Sequence, residues 1–192
     1  MAEPAIKLMT LDEFLRWEDG TDTRYELIGG LPSAMAPPAR AHGILCATLG
    51  AIINAGLRSR RPCRAQAEAG IPHPGRDDTC FIADLVVTCR PHERGEQLVP
   101  DPVLVVEVLS PGTERHDRRI KVPAYRQIES LNEILLIDSE AAYAEVFRRE
   151  GDRWITELVQ GLEAVLYLSS VELRIPMTEL YEGIALEAAT ER

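Results

Sequence analysis

One charged residue in an otherwise aliphatic stretch limits what this chain can fold into. Residues 103–112 read VLVVEVLSPG, in which six aliphatic side chains surround Glu107. A run so rich in valine and leucine predicts a buried β-strand. A lone carboxylate in an apolar interior is very costly, so a buried one is neutralised, paired with a cation or bound to a metal. The rest of the chain must therefore supply a partner for Glu107.

Length and composition predict a single domain over residues 1–192, with its core at about 9–180. A hydrophobic content of 45% and a charged content of 27% are typical of soluble globular proteins. No apolar run approaches the ~20 residues that span a bilayer. The N-terminal MAEPAIKLMTLDEF also lacks the layout of a signal peptide. We therefore expect a cytoplasmic protein with no membrane segment.

The net charge of −10 does not favour tight, nonspecific binding to nucleic acid, which needs clustered Lys and Arg. Two basic stretches, LRSRRPCR (57–64) and ERHDRRIK (114–121), would still allow a local basic groove. Solvated surface charge is an equally good interpretation of each. The cysteines form no CxxC pair, so we expect all of them to be reduced and mostly buried. They are Cys46, Cys63, Cys80 and Cys89.

The spacing of apolar and turn residues predicts a mixed α/β (α+β) fold, in which helices flank one central sheet. Thr10 and Glu13 form a capping box before a short helix, and residues 25–35 resemble a hairpin. Residues 41–57 form an amphipathic helix. Residues 113–130 are also expected to be helical, with the main helix starting near Ile120 so that Pro123 falls in its first turn. A strand and a short helix are expected at the end of the chain. Further strands are predicted at 63–71, 80–89, 102–110, 133–138, 142–150 and 152–160.

A second acid, Asp84, lies in the aliphatic stretch FIADLVV, one predicted strand before that of Glu107. The loop between the two strands has a length that fits antiparallel neighbours, which could bring both carboxylates to one end of the sheet. Two close carboxylates repel unless they share a proton or a cation. Oxygen ligands of this kind suit Mg²⁺ or Mn²⁺ better than zinc. A metal bound by both acids would therefore supply the partner that Glu107 needs.

Two further residues could join these acids. Glu26 lies in the predicted hairpin, and Lys121 follows Glu107 by fourteen residues. From the edge of a cleft, the lysine ammonium could balance the carboxylates and stabilise an anionic transition state. A single acid in an apolar strand more often caps a sheet edge or pairs with a surface base, but two such acids on adjacent strands favour a functional site.

Taken together, four phrases resemble the Uma family of predicted restriction endonucleases, within the PD-(D/E)XK nuclease superfamily. The resemblance runs from about residue 9 to about residue 180, and the order of the phrases makes it specific. It implies a restriction-endonuclease-like fold, with Asp84 and Glu107 as the metal-binding acids and Glu26 as a further catalytic acid. The phrases are YELIGG, ADLVV, VEVLSPGT and HDRRIKVPAYRQIESLNEILLID.

The chain departs from the superfamily pattern where the catalytic lysine is expected. Two residues after Glu107, that position is occupied by Leu109. The resemblance implies that a lysine from the following helix replaces it, and here that lysine is Lys121. Ala83 stands where proline usually precedes the first acid, which is a smaller change of backbone preference.

Two other residues are candidates for substrate binding. His42, on the first long helix, could approach a phosphate, although a lone histidine is more often a packing or surface residue. Tyr125 lies one helical turn after Lys121 and could line the same cleft. No GxSxG, P-loop or dinucleotide-binding motif is present in the sequence.

The leading hypothesis is a Mg²⁺- or Mn²⁺-dependent endonuclease that hydrolyses DNA phosphodiester bonds. We expect a homodimer, because cleavage of both strands needs two sites. One alternative is a catalytically inactive member that keeps the fold as a nucleic-acid or protein-binding module. The acidic net charge and the missing strand lysine both favour it. Another is a metal-dependent hydrolase of small phosphate esters, although the sequence has no loop that would cradle a phosphate.

Overall fold

A mixed sheet of eight strands organises the computed structural model, which describes residues 8–186. The strand order is β2-β1-β4-β5-β6-β7-β8, and β3 pairs with β4 outside this path. Every pairing in the sheet is antiparallel except that of β5 with β6. A separate two-stranded sheet joins β9 and β10. The strands are β1 (Tyr25–Ile28), β2 (Leu31–Ala34), β3 (Arg64–Pro72), β4 (Cys80–Thr88), β5 (Pro102–Leu109), β6 (Glu133–Asp138), β7 (Tyr143–Glu150), β8 (Arg153–Gln160), β9 (Val165–Leu168) and β10 (Leu173–Pro176).

The helices are short, apart from one that covers a face of the sheet. They are α1 (Leu11–Phe14), α2 (Arg40–Gly56), α3 (Glu114–His116), α4 (Val122–Tyr125) and α5 (Met177–Leu180). A π-helical turn, Asp117–Lys121, connects α3 to α4, and a 3-10 turn, Leu57–Ser59, follows α2. Because β5 and β6 are parallel, the chain must cross over between them, and α3, the π turn and α4 form that crossover. No helix in the described part of the chain is long and apolar enough to cross a membrane.

The two faces of the sheet bury separate hydrophobic clusters. Side chains of β5 alternate between the faces, so Val106 and Val108 pack toward α2, whereas Val105 and Leu109 pack toward α4. Glu107 points to the same face as Val105 and Leu109 and is only 1% exposed. The sheet and α4 therefore enclose its carboxylate.

The π turn explains how a proline is accommodated in this crossover. In a regular helix, Pro123 would lack one hydrogen bond and clash with the carbonyl four residues earlier. Here the N–H of Val122 donates to the carbonyl of Asp117, five residues back, and Pro123 falls in the first turn of α4. The helical structure begins at Glu114, as expected for residues 113–130, and α4 begins at Val122, close to the expected start near Ile120.

The sheet divides along one side of β4. β3 pairs with β4 from end to end, whereas β5 pairs with it only from Leu85 onward. β1 pairs with β4 at Cys80, on the side opposite β3. Between these two pairings β4 has no strand neighbour on that side, and the predicted acids lie beside this gap.

The structure confirms the predicted fold class and corrects several details. β4 and β5 are antiparallel neighbours, and the capping box of Thr10 and Glu13 forms as expected. The short strand β9 was not predicted. The expectation of four reduced cysteines was wrong, because the two that flank the paired ends of β3 and β4, Cys63 and Cys89, form a disulfide.

Candidate active site

Side chains satisfy the backbone groups that the gap in the sheet leaves without a strand partner. The N–H of Ile82 donates to the Glu26 carboxylate at 2.9 Å, and its carbonyl accepts from the Lys121 ammonium at 2.9 Å. The N–H of Val108 donates to Asp84 Oδ2 at 2.7 Å. Buried backbone polar groups need such partners, so these three side chains are structurally part of the divided sheet.

Glu107 obtains its partners from the crossover. The Tyr125 hydroxyl donates to Oε1 at 2.6 Å, and Lys121 Nζ lies 3.3 Å from the same oxygen. Tyr125 is fully buried, and its ring packs against that of Phe81 in a T-shaped arrangement. A cation and a hydrogen-bond donor thus stabilise the carboxylate that interrupts the aliphatic strand.

Lys121 lies among acids in the interior of the protein, and not at the exposed edge of a cleft as expected. Lys121 is only 5% exposed, and its Nζ lies 2.9 Å from Glu26 Oε1 and 3.5 Å from Asp117 Oδ1. With Glu107, three carboxylates therefore approach this one ammonium. Asp117 was not among the predicted site residues, although it belongs to the family-like phrase that begins HDRRIK and lies four residues before Lys121 on a helical stretch.

Asp84 faces the first turn of α2. Its Oδ1 lies 3.2 Å from His42 Nε2, and the other ring nitrogen of His42 lies 3.6 Å from the Sγ of Cys46. His42 and Asp84 both remain partly accessible, with side-chain exposures of 14% and 19%. This makes Asp84 the most accessible of the predicted acids and puts it at the opening of the site.

A second histidine borders the site on the side of Glu26. His116 Nε2 lies 3.3 Å from Glu26 Oε2, and its ring packs against Phe81. His116 was not among the predicted site residues, although it lies in a basic stretch and opens the family-like phrase that begins HDRRIK. Its position follows from the crossover, which carries His116 and Lys121 to opposite oxygens of the same carboxylate.

The electrostatics of the site are dominated by an excess of buried acid. Burial raises the pKa of Glu107 well above its usual value, and the charge of Lys121 offsets this only in part because Asp84 and Asp117 act against it. Burial also raises the pKa of Asp117. Glu26 differs, because His116, Lys121 and the N–H of Ile82 outweigh its burial and lower its pKa. One site thus holds carboxyls shifted in opposite directions, which is common where chemistry occurs.

The chain of contacts from Cys46 through His42 to Asp84 resembles the layout of a nucleophilic cysteine. Its electrostatics argue against that role. Burial, with the charges of Asp84 and Glu107, raises the pKa of the Cys46 thiol to about 12. Reactive cysteines require a lowered pKa, so Cys46 is not an activated nucleophile.

Comparison with known proteins connects this geometry to a family. A family model described as "Uma2: Putative restriction endonuclease" matches residues 11–178, a range that contains every residue of the site. The chain belongs to the Uma2 family. This result agrees with the resemblance found in the sequence, and the family is one of predicted nucleases.

Two curated relatives from Synechocystis match this Uma2 member along most of their lengths. The uncharacterized protein slr1290 is 28% identical over 177 residues, which cover 91% of this chain and 92% of the relative. The uncharacterized protein sll1609 is 25% identical, with 90% and 99% of the two chains covered.

A crystal structure from Anabaena variabilis, described as a putative nuclease belonging to DUF820, has the same fold. Its TM-score is 0.72, with 22% identity over 91% of this chain and 98% of that one. At this level of identity, the likeness supports the fold of the Uma2 member and not the details of its site.

The opposite pKa shifts of Glu107 and Glu26 predict opposite effects of pH on stability. In the folded parent, Glu107 stays protonated at pH values above its usual pKa of 4.5, whereas in the unfolded chain it ionises there. Its contribution to the free energy of unfolding therefore falls as the pH rises. Glu107→Gln should therefore gain stability relative to the parent as the pH rises from about 4 to about 8. The measurement is the free energy of unfolding in urea at several pH values.

Glu26→Gln is the matched control for this series. The pKa of Glu26 is lowered, so its carboxylate stabilises the parent above the usual value of 4.5, and this contribution is lost as the pH falls through the folded pKa. The parent should therefore gain stability relative to Glu26→Gln as the pH rises. If Glu107→Gln follows the same trend as Glu26→Gln, Lys121 outweighs burial and the direction given for Glu107 is wrong.

Proposed function

We propose that this Uma2-family protein is a metal-dependent endonuclease that hydrolyses DNA phosphodiester bonds. The observation that carries the proposal is the excess of carboxylates at the gap in the sheet. Glu26, Glu107 and Asp117 approach a single ammonium, and Asp84 lies beside a histidine at the opening. Acids held this closely need a further cation or a retained proton.

The residues present fit a divalent metal of the Mg²⁺ or Mn²⁺ type. Asp84 and Glu107 would hold it, since their oxygens are the hard ligands that these ions prefer. The raised pKa of Glu107 supports this assignment, because a nearby divalent charge would relieve the cost of ionising it. A bound ion there would activate water and polarise the phosphate.

The chain itself would orient these groups and supply positive charge. Tyr125 and Lys121 fix both oxygens of Glu107, and the N–H of Val108 fixes one oxygen of Asp84. Lys121 would neutralise the acids and stabilise the charge that develops on the phosphate. Glu26 holds the ammonium of Lys121 in position from the opposite side, at 2.9 Å.

The two predicted substrate-binding residues differ in accessibility. His42 lies at the opening beside Asp84, where it could donate to a phosphate oxygen. Tyr125 is fully buried and bonded to Glu107, so we assign it to positioning this carboxylate and not to substrate contact. A homodimer remains part of the proposal, because cleavage of both DNA strands needs two sites.

The alternative of a catalytically inactive module also has one observation in its favour. Lys121 is nearly enclosed, and its ammonium already contacts three carboxylates and a carbonyl. A lysine held in this way could serve only to stabilise the divided sheet. Activity measurements can separate this structural role from a catalytic one.

The first test is nicking of supercoiled plasmid in the presence of Mg²⁺ or Mn²⁺. Asp84→Asn should reduce the rate by at least ~10²–10³-fold, the scale for removal of one electrostatic contribution to the transition state. The same variant should remain folded, because Asp84 is partly exposed and asparagine can still accept from the N–H of Val108.

Glu133→Gln is the matched control for the loss of a buried acid. Glu133 is fully buried on the neighbouring strand β6, but it pairs with Arg148 and with the serines at 169 and 170, away from the site. It should lose stability and keep its nicking activity. Equal nicking by the parent and Asp84→Asn would contradict the proposed role of Asp84, and absent nicking by the parent would favour the inactive module.

The second test concerns Lys121. Lys121→Met keeps most of the apolar stem and removes the charge, and it should reduce nicking by ~10²–10³-fold. It should also lower the melting temperature, because three carboxylates lose their nearby ammonium. Rates are therefore compared at a temperature where circular dichroism finds both proteins folded. Parent-level nicking by folded Lys121→Met would remove the lysine from the mechanism.

The third test measures metal binding without reference to activity. A ligand at one hundred times its Kd stabilises the native state by about 2.7 kcal/mol, or roughly 5–10 °C in Tm for a chain of this size. Thermal scans with Mn²⁺ should find such a shift for the parent and Glu133→Gln. The shift should grow with pH, because Glu107 must lose its proton when the ion binds. An equal shift in Asp84→Asn would contradict a metal at these acids.

A further inference from the structure

A second set of possible metal ligands lies on the α2 side of Asp84. His42 and Cys46 are four residues apart on the 17-residue helix α2, so they project from the same face one turn apart. That face meets Asp84 where β4 borders the gap in the sheet. Two separate elements of the fold thus bring a nitrogen, a sulfur and an oxygen ligand together.

The distances within this set are short enough for one ion. His42 Nε2 lies 3.2 Å from Asp84 Oδ1, and His42 Nδ1 lies 3.6 Å from Cys46 Sγ. When one ligand atom is taken from each residue, the three atoms lie within 4.8 Å of one another. A single ion can use only one ring nitrogen of His42, so a modest turn of the ring would accompany binding. All three residues are partly buried, which allows an ion to enter.

The mixture of ligands is chemically different from the acidic site. Mg²⁺ prefers oxygen ligands only, whereas thiolate and imidazole together select Zn²⁺ and similar transition metals. Three protein ligands with a fourth position open is a common arrangement for an accessible zinc ion. Asp84 and His42 both have roles in the proposed nuclease, whereas Cys46 has none.

We propose that His42, Cys46 and Asp84 form a zinc site that shares Asp84 with the proposed Mg²⁺ site, so that zinc inhibits the endonuclease. The inhibition rests on the proposed function, whereas the zinc site does not. An Asp84 carboxylate held by zinc on the α2 side would no longer be available to the divalent ion that Asp84 and Glu107 would hold. Zinc and magnesium would then exclude each other.

Titration with Co²⁺ tests the site directly, because cobalt is a spectroscopic substitute for zinc. The parent, kept without thiol reductant so that the Cys63–Cys89 disulfide persists, should bind one Co²⁺. Thiolate coordination should produce a charge-transfer band in the near ultraviolet. Cys46→Ser should lose this band, and its affinity for Zn²⁺ in competition with Co²⁺ should fall at least about tenfold, as should that of His42→Ala.

Cys80→Ala is the matched control, since Cys80 is the other free cysteine in the part of the chain that the structure describes. It should keep both the band and the affinity. Absence of the band from the parent, or its persistence in Cys46→Ser, would overturn the zinc site. This measurement does not depend on whether the protein cleaves DNA.

Nicking in the presence of Mn²⁺ tests the inhibition. Added Zn²⁺ should inhibit the parent and Cys80→Ala at concentrations at least about tenfold lower than those that inhibit Cys46→Ser. Equal zinc sensitivity of the parent and Cys46→Ser would overturn the shared site. If the parent binds cobalt through Cys46 but has no nuclease activity, competition between Mn²⁺ and Co²⁺ decides. If Mn²⁺ and Co²⁺ then bind independently, the two sites do not share Asp84 and the proposal is wrong.

Discussion

The ammonium of Lys121 is the interaction on which the centre of this structure depends. It lies within 3.5 Å of Glu26, Glu107 and Asp117, and it also donates to the carbonyl of Ile82. These groups come from β1, β4, β5 and the π turn, so one buried charge links four elements of the fold. A buried ion pair offers little net stability, but the loss of one partner is severe because the others stay buried and uncompensated.

The division of the sheet is what allows polar groups to occupy its interior. If β4 and β5 stayed paired along their whole length, strand-to-strand hydrogen bonds would occupy the N–H and carbonyl of Ile82. No space would then be left there for side chains. Glu26, Asp84 and Lys121 take these positions, so the same hydrogen bonds that complete the backbone also orient the acids. Such preorganisation on rigid strands is what a catalytic or metal site requires.

The site residues that could be predicted from the sequence are those whose chemistry conflicts with their surroundings. Glu107 stands out because a carboxylate in an aliphatic strand needs a partner, and Lys121 followed from its position on the next helical stretch. Asp117 lies in the family-like phrase but was assigned no role, because a stretch of mixed charges gives no sign of which side chain turns inward. The disulfide of Cys63 with Cys89 depends on the register of β3 against β4, which only the folded sheet determines.

The π turn accounts for a lysine on the helix in place of one on the strand. At position 109 the side chain enters the apolar cluster beneath α4, where leucine is 2% exposed and a lysine would displace good packing. Pro123 disfavours a regular helix directly before it, and the wider turn that results directs both Asp117 and Lys121 inward. The π turn that precedes the proline therefore also places the positive charge of Lys121 in the site. A change that restored a regular helix would rotate the lysine away from Glu107.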